Sequence, residues 1–216
     1  MVIPFISGIL NWSGRNKTMR IGIFGGTFDP PHVGHLILAE ECRTQLNLDL
    51  LLWVVTDNPP HKRYANVSPI EQRVQLVQMA IQGNPSFVLS RIDIDRPGPH
   101  YAIDTVKLLR EEYPGAELFY LMGGDSLHDL PTWNRPQDFI KTCDGIGVMR
   151  RHADNVDLES LDKVLPGISK RVSIVEAPIL EISSKQIRQR IQEKMGYRYY
   201  LRDAVYQAIN ELGLYQ

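Results

Sequence analysis

Six short apolar runs, most of them separated by helical patterns, restrict the fold of this sequence more than any other feature. The clearest run is Leu50-Leu51-Leu52-Trp53-Val54-Val55, which contains no polar residue. A strand that is apolar throughout has to be buried on both faces, as in a parallel sheet covered by helices on both sides. We expect strands at 20–24, 50–56, 87–94, 117–122, 144–149 and 171–175.

Helical patterns lie between these runs, and only helices are expected after residue 182. The patterns lie at 33–46, 69–82, 101–113 and 157–164, and Ser183 is expected to cap the first of the later helices. This alternation predicts a doubly wound α/β fold with a parallel sheet and a helical C-terminal part. Ligands of such folds bind at the carboxyl ends of the strands.

The chain is expected to form one domain from residue 19 to residue 216. It has 216 residues without a repeat, a low-complexity tract or a linker, which suits a single domain. Residues 1–18 begin with an apolar stretch, but they lack the basic region and cleavage site of a signal peptide and are too short to span a bilayer. We expect residues 1–18 to be a non-essential extension before Met19.

Charge and cysteine content argue against several classes of protein. The 24 Lys and Arg residues against 25 Asp and Glu residues give a net charge of -1, which disfavours binding of nucleic acid by phosphate neutralisation. Cys42 and Cys143 are too few for a disulfide framework, and their surroundings predict buried free thiols. No other stretch is long and apolar enough for a membrane span, so we expect a cytoplasmic protein without a membrane partner.

The loop after the first run carries a glycine-rich turn. Residues 25–35 read GGTFDPPHVGH. Gly25 and Gly26 let the backbone approach a phosphate closely, and the N–H groups of Thr27 and Phe28 follow. The spacing differs from the G-x-G-x-x-G of dinucleotide-binding dehydrogenases. We therefore expect a phosphate site of another kind, with a simple tight turn as the alternative.

Two histidines stand three residues apart at the start of the next predicted helix. Pro30 and Pro31 end any earlier helix, so His32 lies at or just before the first turn and His35 falls on the same face. Gly34 between them leaves room for a ligand. Two imidazole donors at the positive end of a helix suit a phosphoryl group that gains charge in a transition state. The alternative is structural hydrogen bonding, and a zinc site would need a further ligand.

Three later segments add polar residues to the expected ligand edge. In NPPHK, residues 58–62, two prolines stiffen a loop that presents Lys62, for which a solvated surface position is the alternative. Asp125, after a strand and two glycines, can accept hydrogen bonds from ribose hydroxyls or cap a turn. In ISSKQIRQRI, residues 182–191, the helix start and Arg188 can bind phosphates, whereas a plain capped helix needs only its first serine.

Together these segments resemble a known family. GGTFDPPHVGH resembles the H-x-G-H signature of the nucleotidyltransferase superfamily. NPPHK, GGDSLHDLPTW at 123–133 and ISSKQIRQRI are similar to segments of bacterial nicotinate-nucleotide adenylyltransferases, and the resemblance extends over 20–216. It implies adenylyl transfer from ATP to nicotinate mononucleotide, giving nicotinate adenine dinucleotide and pyrophosphate in NAD biosynthesis, with Mg²⁺ accompanying ATP.

The resemblance also implies roles for individual residues. The implied catalytic residues are His32, His35, Lys62 and Arg188. The implied ATP-binding residues are Gly25, Gly26, Thr27, Phe28, His32, His35, Gly123, Asp125, Ile182, Ser183, Ser184 and Arg188. The implied mononucleotide-binding residues are Thr27, Phe28, Lys62, Tyr101, Ala102, Thr105, Trp133 and Asn134. The indole of Trp133 would stack on the pyridine ring, although a place in the core is the alternative.

Two other hypotheses stay open. One is another H-x-G-H adenylyltransferase, with nicotinamide mononucleotide, phosphopantetheine or FMN as acceptor. The other is a nucleotide-binding regulator without turnover. Arg202 departs from the family, which commonly has proline at that position. The sequence predicts neither the oligomeric state nor protein ligands for Mg²⁺.

Overall fold

A six-stranded parallel sheet forms the centre of the structure, a computed structural model that describes residues 17–56, 67–150, 157–178 and 180–216. The strand order is β3-β2-β1-β4-β5-β6, and every neighbouring pair is parallel. The predicted doubly wound α/β fold is therefore confirmed. The strands are β1 Arg20–Gly26, β2 Leu50–Val55, β3 Phe87–Ser90, β4 Glu117–Gly123, β5 Gly145–Arg150 and β6 Val172–Glu176.

Eight α-helices surround or extend this sheet in the described part of the chain. The described residues also form short 3-10 helices at Leu130–Thr132, Ile168–Lys170 and Arg198–Tyr200. None of the helices within the described ranges has the length and apolar character that a membrane span requires. The α-helices are α1 Val33–Gln45, α2 Ile70–Ile81, α3 Ala102–Glu112, α4 Gly124–Asp129, α5 Pro136–Thr142, α6 Leu158–Val164, α7 Ser184–Gln192 and α8 Asp203–Glu211.

Strand β2 shows why its sequence is apolar on every residue. Alternate side chains point to opposite faces of a strand. Leu50, Leu52 and Val54 pack with residues of α3 and α5 on one face. Leu51, Trp53 and Val55 pack with residues of α1 and α2 on the other face. Both sides of this strand are therefore core.

A third apolar cluster attaches the C-terminal helices to the outer side of α2. It joins Leu76 and Ala80 of α2 to Ile187 of α7 and to Val205 and Ile209 of α8. The helical C-terminal part that we predicted is thus a layer over α2.

Three details differ from the sequence-based expectations. Gly25 and Gly26 are the last residues of β1, paired with Val54 and Val55, and do not form a turn. Strand β3 ends at Ser90 instead of residue 94, because the N–H groups of Ile94 and Asp95 turn back to the carbonyl of Arg91. The third detail is that α4 and α5, which span only 6 and 7 residues, were not predicted. Helices of this length are too short to show a clear apolar period.

Both cysteines are buried and free, as predicted. Burial raises the pKa of the Cys42 and Cys143 thiols to about 12, so both stay protonated and unreactive at neutral pH. The proposed domain boundary before Met19 stays a prediction, because residues 1–16 lie outside the described residues.

Candidate active site

A cleft of about 530 Å³ opens where β1 and β4 end. These strands are neighbours in the middle of the sheet, where the strand order reverses, and ligands of doubly wound folds bind at this point. Of the predicted ATP-binding residues, only Gly25 does not line the cleft. The others are Gly26, Thr27, Phe28, His32, His35, Gly123, Asp125, Ile182, Ser183, Ser184 and Arg188.

The two histidines stand together at the start of α1, as the sequence predicted. His32 is the N-cap residue, and its ring stacks on that of His35 with 3.7 Å between centroids and 28° between planes. The backbone N–H of His32 donates to Nδ1 of His35 over 3.2 Å. Because Nδ1 accepts this bond, the proton of the neutral His35 ring is on Nε2. The geometry therefore makes Nε2 the donor atom of His35.

Gly34 lies directly against the ring of His32. A Cβ atom on Gly34 would lie 3.0 Å from Nδ1 and 3.1 Å from Cε1 of His32. The glycine of the signature therefore makes room for the ring of His32, whereas the sequence analysis expected it to make room for a ligand.

Phe28 supports His35 from the core. Its φ of 49° is in the left-handed region, which costs a non-glycine residue free energy. Its ring is 3% exposed and contacts Trp53 and the edge of His35 at 5.0 and 5.1 Å between centroids. A Cβ atom on Gly26 would lie 2.7 Å from this ring. Packing thus holds Phe28 in its strained conformation, and its side chain acts on the site through His35.

The start of α7 binds directly to the signature loop. The Ser183 hydroxyl oxygen accepts from the N–H of Gln186 over 3.2 Å, so Ser183 is the predicted cap. The hydroxyl of Ser184 donates to the carbonyl of Pro30 over 2.8 Å. Nη1 of Arg188 donates to the carbonyl of Asp29 over 2.6 Å. Two segments that the sequence predicted to bind phosphate, more than 140 residues apart in sequence, are therefore joined in one cleft.

Arg73 is a structural part of the site that the sequence analysis missed. Its side chain is almost fully buried, and its Nη1 donates to the carbonyls of Thr27 and Thr56 over 2.9 and 2.8 Å. These carbonyls follow β1 and β2, so Arg73 holds together the loops that leave both strands. The sequence contained one indication of this role: Arg73 stands next to the apolar positions of α2. An arginine on the buried side of a helix must find buried acceptors.

Two of the residues implied for the mononucleotide, Thr27 and Phe28, line this cleft. The other described ones lie outside its lining, at the start of α3 and in the segment before α5: Tyr101, Ala102, Thr105, Trp133 and Asn134. Tyr101 is the N-cap of α3 and Ala102 its first residue. The indole of Trp133 forms a T-shaped contact with Tyr120 at 6.1 Å and a tilted contact with Phe139 at 5.4 Å between centroids. An ion pair between Arg135 and Asp104 joins the segment after Trp133 to the first turn of α3. These residues therefore form a second surface.

Thr105 is buried beneath this second surface and is held by a hydrogen bond. Its hydroxyl donates to Oδ1 of the buried Asp93 over 2.7 Å, and Arg96 donates to the same oxygen over 2.8 Å. Burial raises the pKa of Tyr120, and the negative charge of Asp93 raises it further. The hydroxyl of Thr105 is thus committed to a carboxylate. Lys62, the remaining predicted residue, lies outside the described residues.

No group of three or more His, Cys, Asp or Glu side chains that could hold a metal ion occurs in the described part of the chain.

Known proteins match the chain over most of its length. The cytidylyltransferase-like family model matches residues 23–190. A Thermomicrobium roseum protein, named as a probable nicotinate-nucleotide adenylyltransferase, is 44% identical over 197 residues, which are 91% of this chain and 92% of that protein. The nicotinate-nucleotide adenylyltransferase of Bacillus subtilis is 37% identical over 91% of this chain and 98% of its own length.

A solved structure supports the fold. The Plasmodium falciparum nicotinic acid mononucleotide adenylyltransferase, complexed with NaAD, superposes with a TM-score of 0.75 and covers 91% of this chain and 97% of its own, at 18% identity. At this identity the likeness concerns the fold alone. The sequence matches of 44% and 37%, each over nine-tenths of both proteins, show that the chain belongs to the nicotinate-nucleotide adenylyltransferase family.

Proposed function

We propose that this protein transfers the adenylyl group of ATP to nicotinate mononucleotide, giving nicotinate adenine dinucleotide and pyrophosphate in the cytoplasmic synthesis of NAD. The observation that carries the proposal is the junction of the signature loop with α7. It places the stacked His32 and His35 in the same cleft as Arg188. The family to which the chain belongs supports the same reaction.

The reaction needs positioning and charge neutralisation and no general base. The phosphate of the mononucleotide is already a nucleophile. Its oxygen attacks the α-phosphorus of ATP in line, and the bond from that phosphorus to the bridging oxygen breaks, so pyrophosphate leaves. We assign Nε2 of His35 and the ring of His32 to the oxygens of the α-phosphate, where negative charge develops.

The remaining cleft residues would bind the rest of ATP. Arg188 and the first N–H groups of α7 suit the β- and γ-phosphates. Asp125 follows Gly123 and is exposed at the cleft, where its carboxylate can accept from ribose hydroxyls. Lys62, which follows β2 in the sequence, is proposed to neutralise phosphate charge.

Mg²⁺ is proposed to accompany ATP. Mg²⁺ keeps several waters and is commonly held by substrate phosphates with one or two carboxylates. The described residues fit this mode better than an all-protein cage, since they contain no cluster of three ligands. The ion would supply charge neutralisation at the triphosphate, and the donors would be mainly phosphate oxygens and water.

The surface at α3 suits the carboxylate of nicotinate. Trp133 would stack on the pyridine ring, and the N–H of Ala102 lies in the first turn of α3, where helix N–H groups lack helical partners. The side-chain oxygen of Asn134 already accepts from Nε of Arg135 over 3.1 Å. An amide of nicotinamide mononucleotide would thus meet donors with its own NH₂ group. We expect nicotinate mononucleotide to be preferred by roughly 100-fold in kcat/KM.

Release of pyrophosphate from ATP with single acceptors tests the proposal. The purified protein is incubated with Mg²⁺, ATP and nicotinate mononucleotide, nicotinamide mononucleotide, phosphopantetheine or FMN in turn. Rapid release with nicotinate mononucleotide alone is expected. Equal kcat/KM with both pyridine mononucleotides would replace the proposal by a dual-specificity enzyme. ATP binding without release in any mixture would favour the regulator.

A further inference from the structure

Tyr215, the penultimate residue of the chain, reaches into the signature loop. Its hydroxyl donates to Oδ1 of Asp29 over 2.7 Å, although the two residues are 186 positions apart. Asp29 is 3% exposed and lies directly before the two prolines of the signature. The end of the chain is thus hydrogen-bonded to the loop that carries His32.

The carboxylate of Asp29 lies between several donors. Its Oδ2 accepts from the N–H of Ser68 over 3.1 Å. Nη1 of Arg188 is 3.9 Å from Oδ2, beyond hydrogen-bond distance, and donates to the backbone carbonyl of Asp29 instead. Arg188 is therefore near a buried negative charge without being tightly paired to it, and its side chain is 29% exposed at the cleft.

We propose that Tyr215 is a positioning residue for ATP, which holds the carboxylate of Asp29 so that Arg188 stays directed to the triphosphate. This inference rests on the proposed function of the cleft. A buried carboxylate needs donors. Without the hydroxyl of Tyr215, Asp29 lacks one donor while the guanidinium of Arg188 is only 3.9 Å from its Oδ2. A close arginine–carboxylate pair would compete with phosphate for the same guanidinium.

The surroundings of Tyr215 fit a fixed donor. Burial raises the pKa of its hydroxyl, and the adjacent charge of Asp29 raises it further, so the proton stays on the oxygen at neutral pH. Its backbone has a φ of 66°, in the left-handed region, which a tyrosine keeps only when its neighbours hold it. Leu214, buried against α8 and α2, supplies that packing.

Removal of the single hydroxyl tests the proposal. Tyr215→Phe is titrated with ATP by calorimetry in the absence of an acceptor, and KM is then measured for both substrates. We expect the Kd for ATP to rise about fivefold to tenfold, with little change in KM for the mononucleotide. Tyr197→Phe is the matched control, because Tyr197 donates to Asn210 over 2.9 Å in the same C-terminal layer, away from the cleft. Its affinity for ATP should stay unchanged.

A double-mutant cycle shows whether Tyr215 acts through Asp29. In an Asp29→Asn background, Tyr215→Phe should cause no further loss of ATP affinity, because the competing charge is gone. The same loss in both backgrounds, or an unchanged Kd in Tyr215→Phe, would overturn the proposal. Equal weakening of both substrates with a lower Tm would indicate a purely structural role and would also overturn it.

The same titration separates this inference from the proposed function. ATP binding needs no acceptor, so ATP-binding protein that does not use nicotinate mononucleotide would contradict the proposed function alone. A wild-type protein that binds no ATP would overturn both. All titrations are made at a temperature at which thermal melts show each variant to be folded.

Discussion

Single residues hold the two imidazole rings in place. Nδ1 of His35 accepts a hydrogen bond from the backbone N–H of His32. The ring of Phe28 contacts the ring of His35 from the core side. We expect His35→Ala to lower kcat by roughly 100-fold or more, because one preorganised donor to the developing charge is lost. Much of the ATP affinity should remain. Steady-state kinetics at saturating ATP and a thermal melt measure both effects.

His128→Ala is the control for this variant. His128 lies on α4 with 91% of its side chain exposed, so its removal should leave kcat unchanged. Near-normal kcat in His35→Ala would contradict the role that we assign to Nε2.

Gly34 gives a prediction in which stability and activity move apart. Alanine is favoured over glycine in a helix by up to about 1 kcal/mol, but the tight contact with the His32 ring opposes this gain, so we expect a Tm close to that of the wild type. The new Cβ would lie 3.0 Å from Nδ1 of His32, so the ring would have to shift slightly within the stack. Because small misplacements of catalytic groups are costly, we expect kcat to fall roughly tenfold or more.

Gly196→Ala is the matched substitution, since a Cβ there meets nothing within 4 Å. Its activity should equal that of the wild type. Full activity of Gly34→Ala would show that the stacked arrangement of the histidines is not needed.

At the scale of elements, an arginine fastens the C-terminal layer to α2. Nη1 of Arg202, at the start of α8, donates to the carbonyls of Ala80 and Gln82 over 3.0 and 2.6 Å. These carbonyls lie at the end of α2, where helix carbonyls lack helical partners. Arg202 therefore supplies donors to carbonyl groups at the end of α2.

We expect Arg202→Ala to lose about 1 kcal/mol of stability, seen as a Tm about 2–4 °C lower. The kcat at 25 °C should not change, because the contact lies away from the cleft. Arg198→Ala is the comparison, since the exposed pair of Arg198 with Asp203 should contribute little. An unchanged Tm in Arg202→Ala would show that water replaces the guanidinium at no cost.

At the scale of the whole molecule, the backbone hydrogen bonds between the start of β1 and β4 reach back to Met19, the residue before β1. The carbonyl of Met19 accepts from the N–H of Glu117 over 2.8 Å. Lys17 contributes only a half-exposed ion pair with Asp49 at 3.4 Å. We therefore expect a chain that starts at Met19 to fold and to keep its kcat/KM for both substrates, as thermal melts and kinetics would show.

A chain that starts at Ile21 is the informative comparison. It lacks Arg20, which donates to the carbonyl of Leu46, pairs with Glu117 and lies 4.2 Å from the centre of the Phe119 ring. We expect a lower Tm for this shorter chain. Loss of solubility or activity in the chain that starts at Met19 would show that residues 1–18 are needed.

Local patterns in the sequence were sufficient for the fold class and for the centre of the site. The apolar run of β2 predicted a strand buried on both faces, because a strand buried on both faces is apolar at every residue. The positions of His32 and His35 follow from the helix start that Pro30 and Pro31 predict, because three residues bring side chains to one helix face. Both inferences depend on neighbours within a few residues.

Tertiary structure alone decided which distant groups meet. Tyr215 looks like any aromatic residue at the end of a chain, yet its hydroxyl contacts Asp29. Arg73 has the character of a surface residue but is buried among carbonyls, and Thr105 faces Asp93. The periodicity of a sequence indicates whether a side chain is buried. It does not indicate which group that side chain contacts, because the contact is made by the packing of elements that are far apart in the chain.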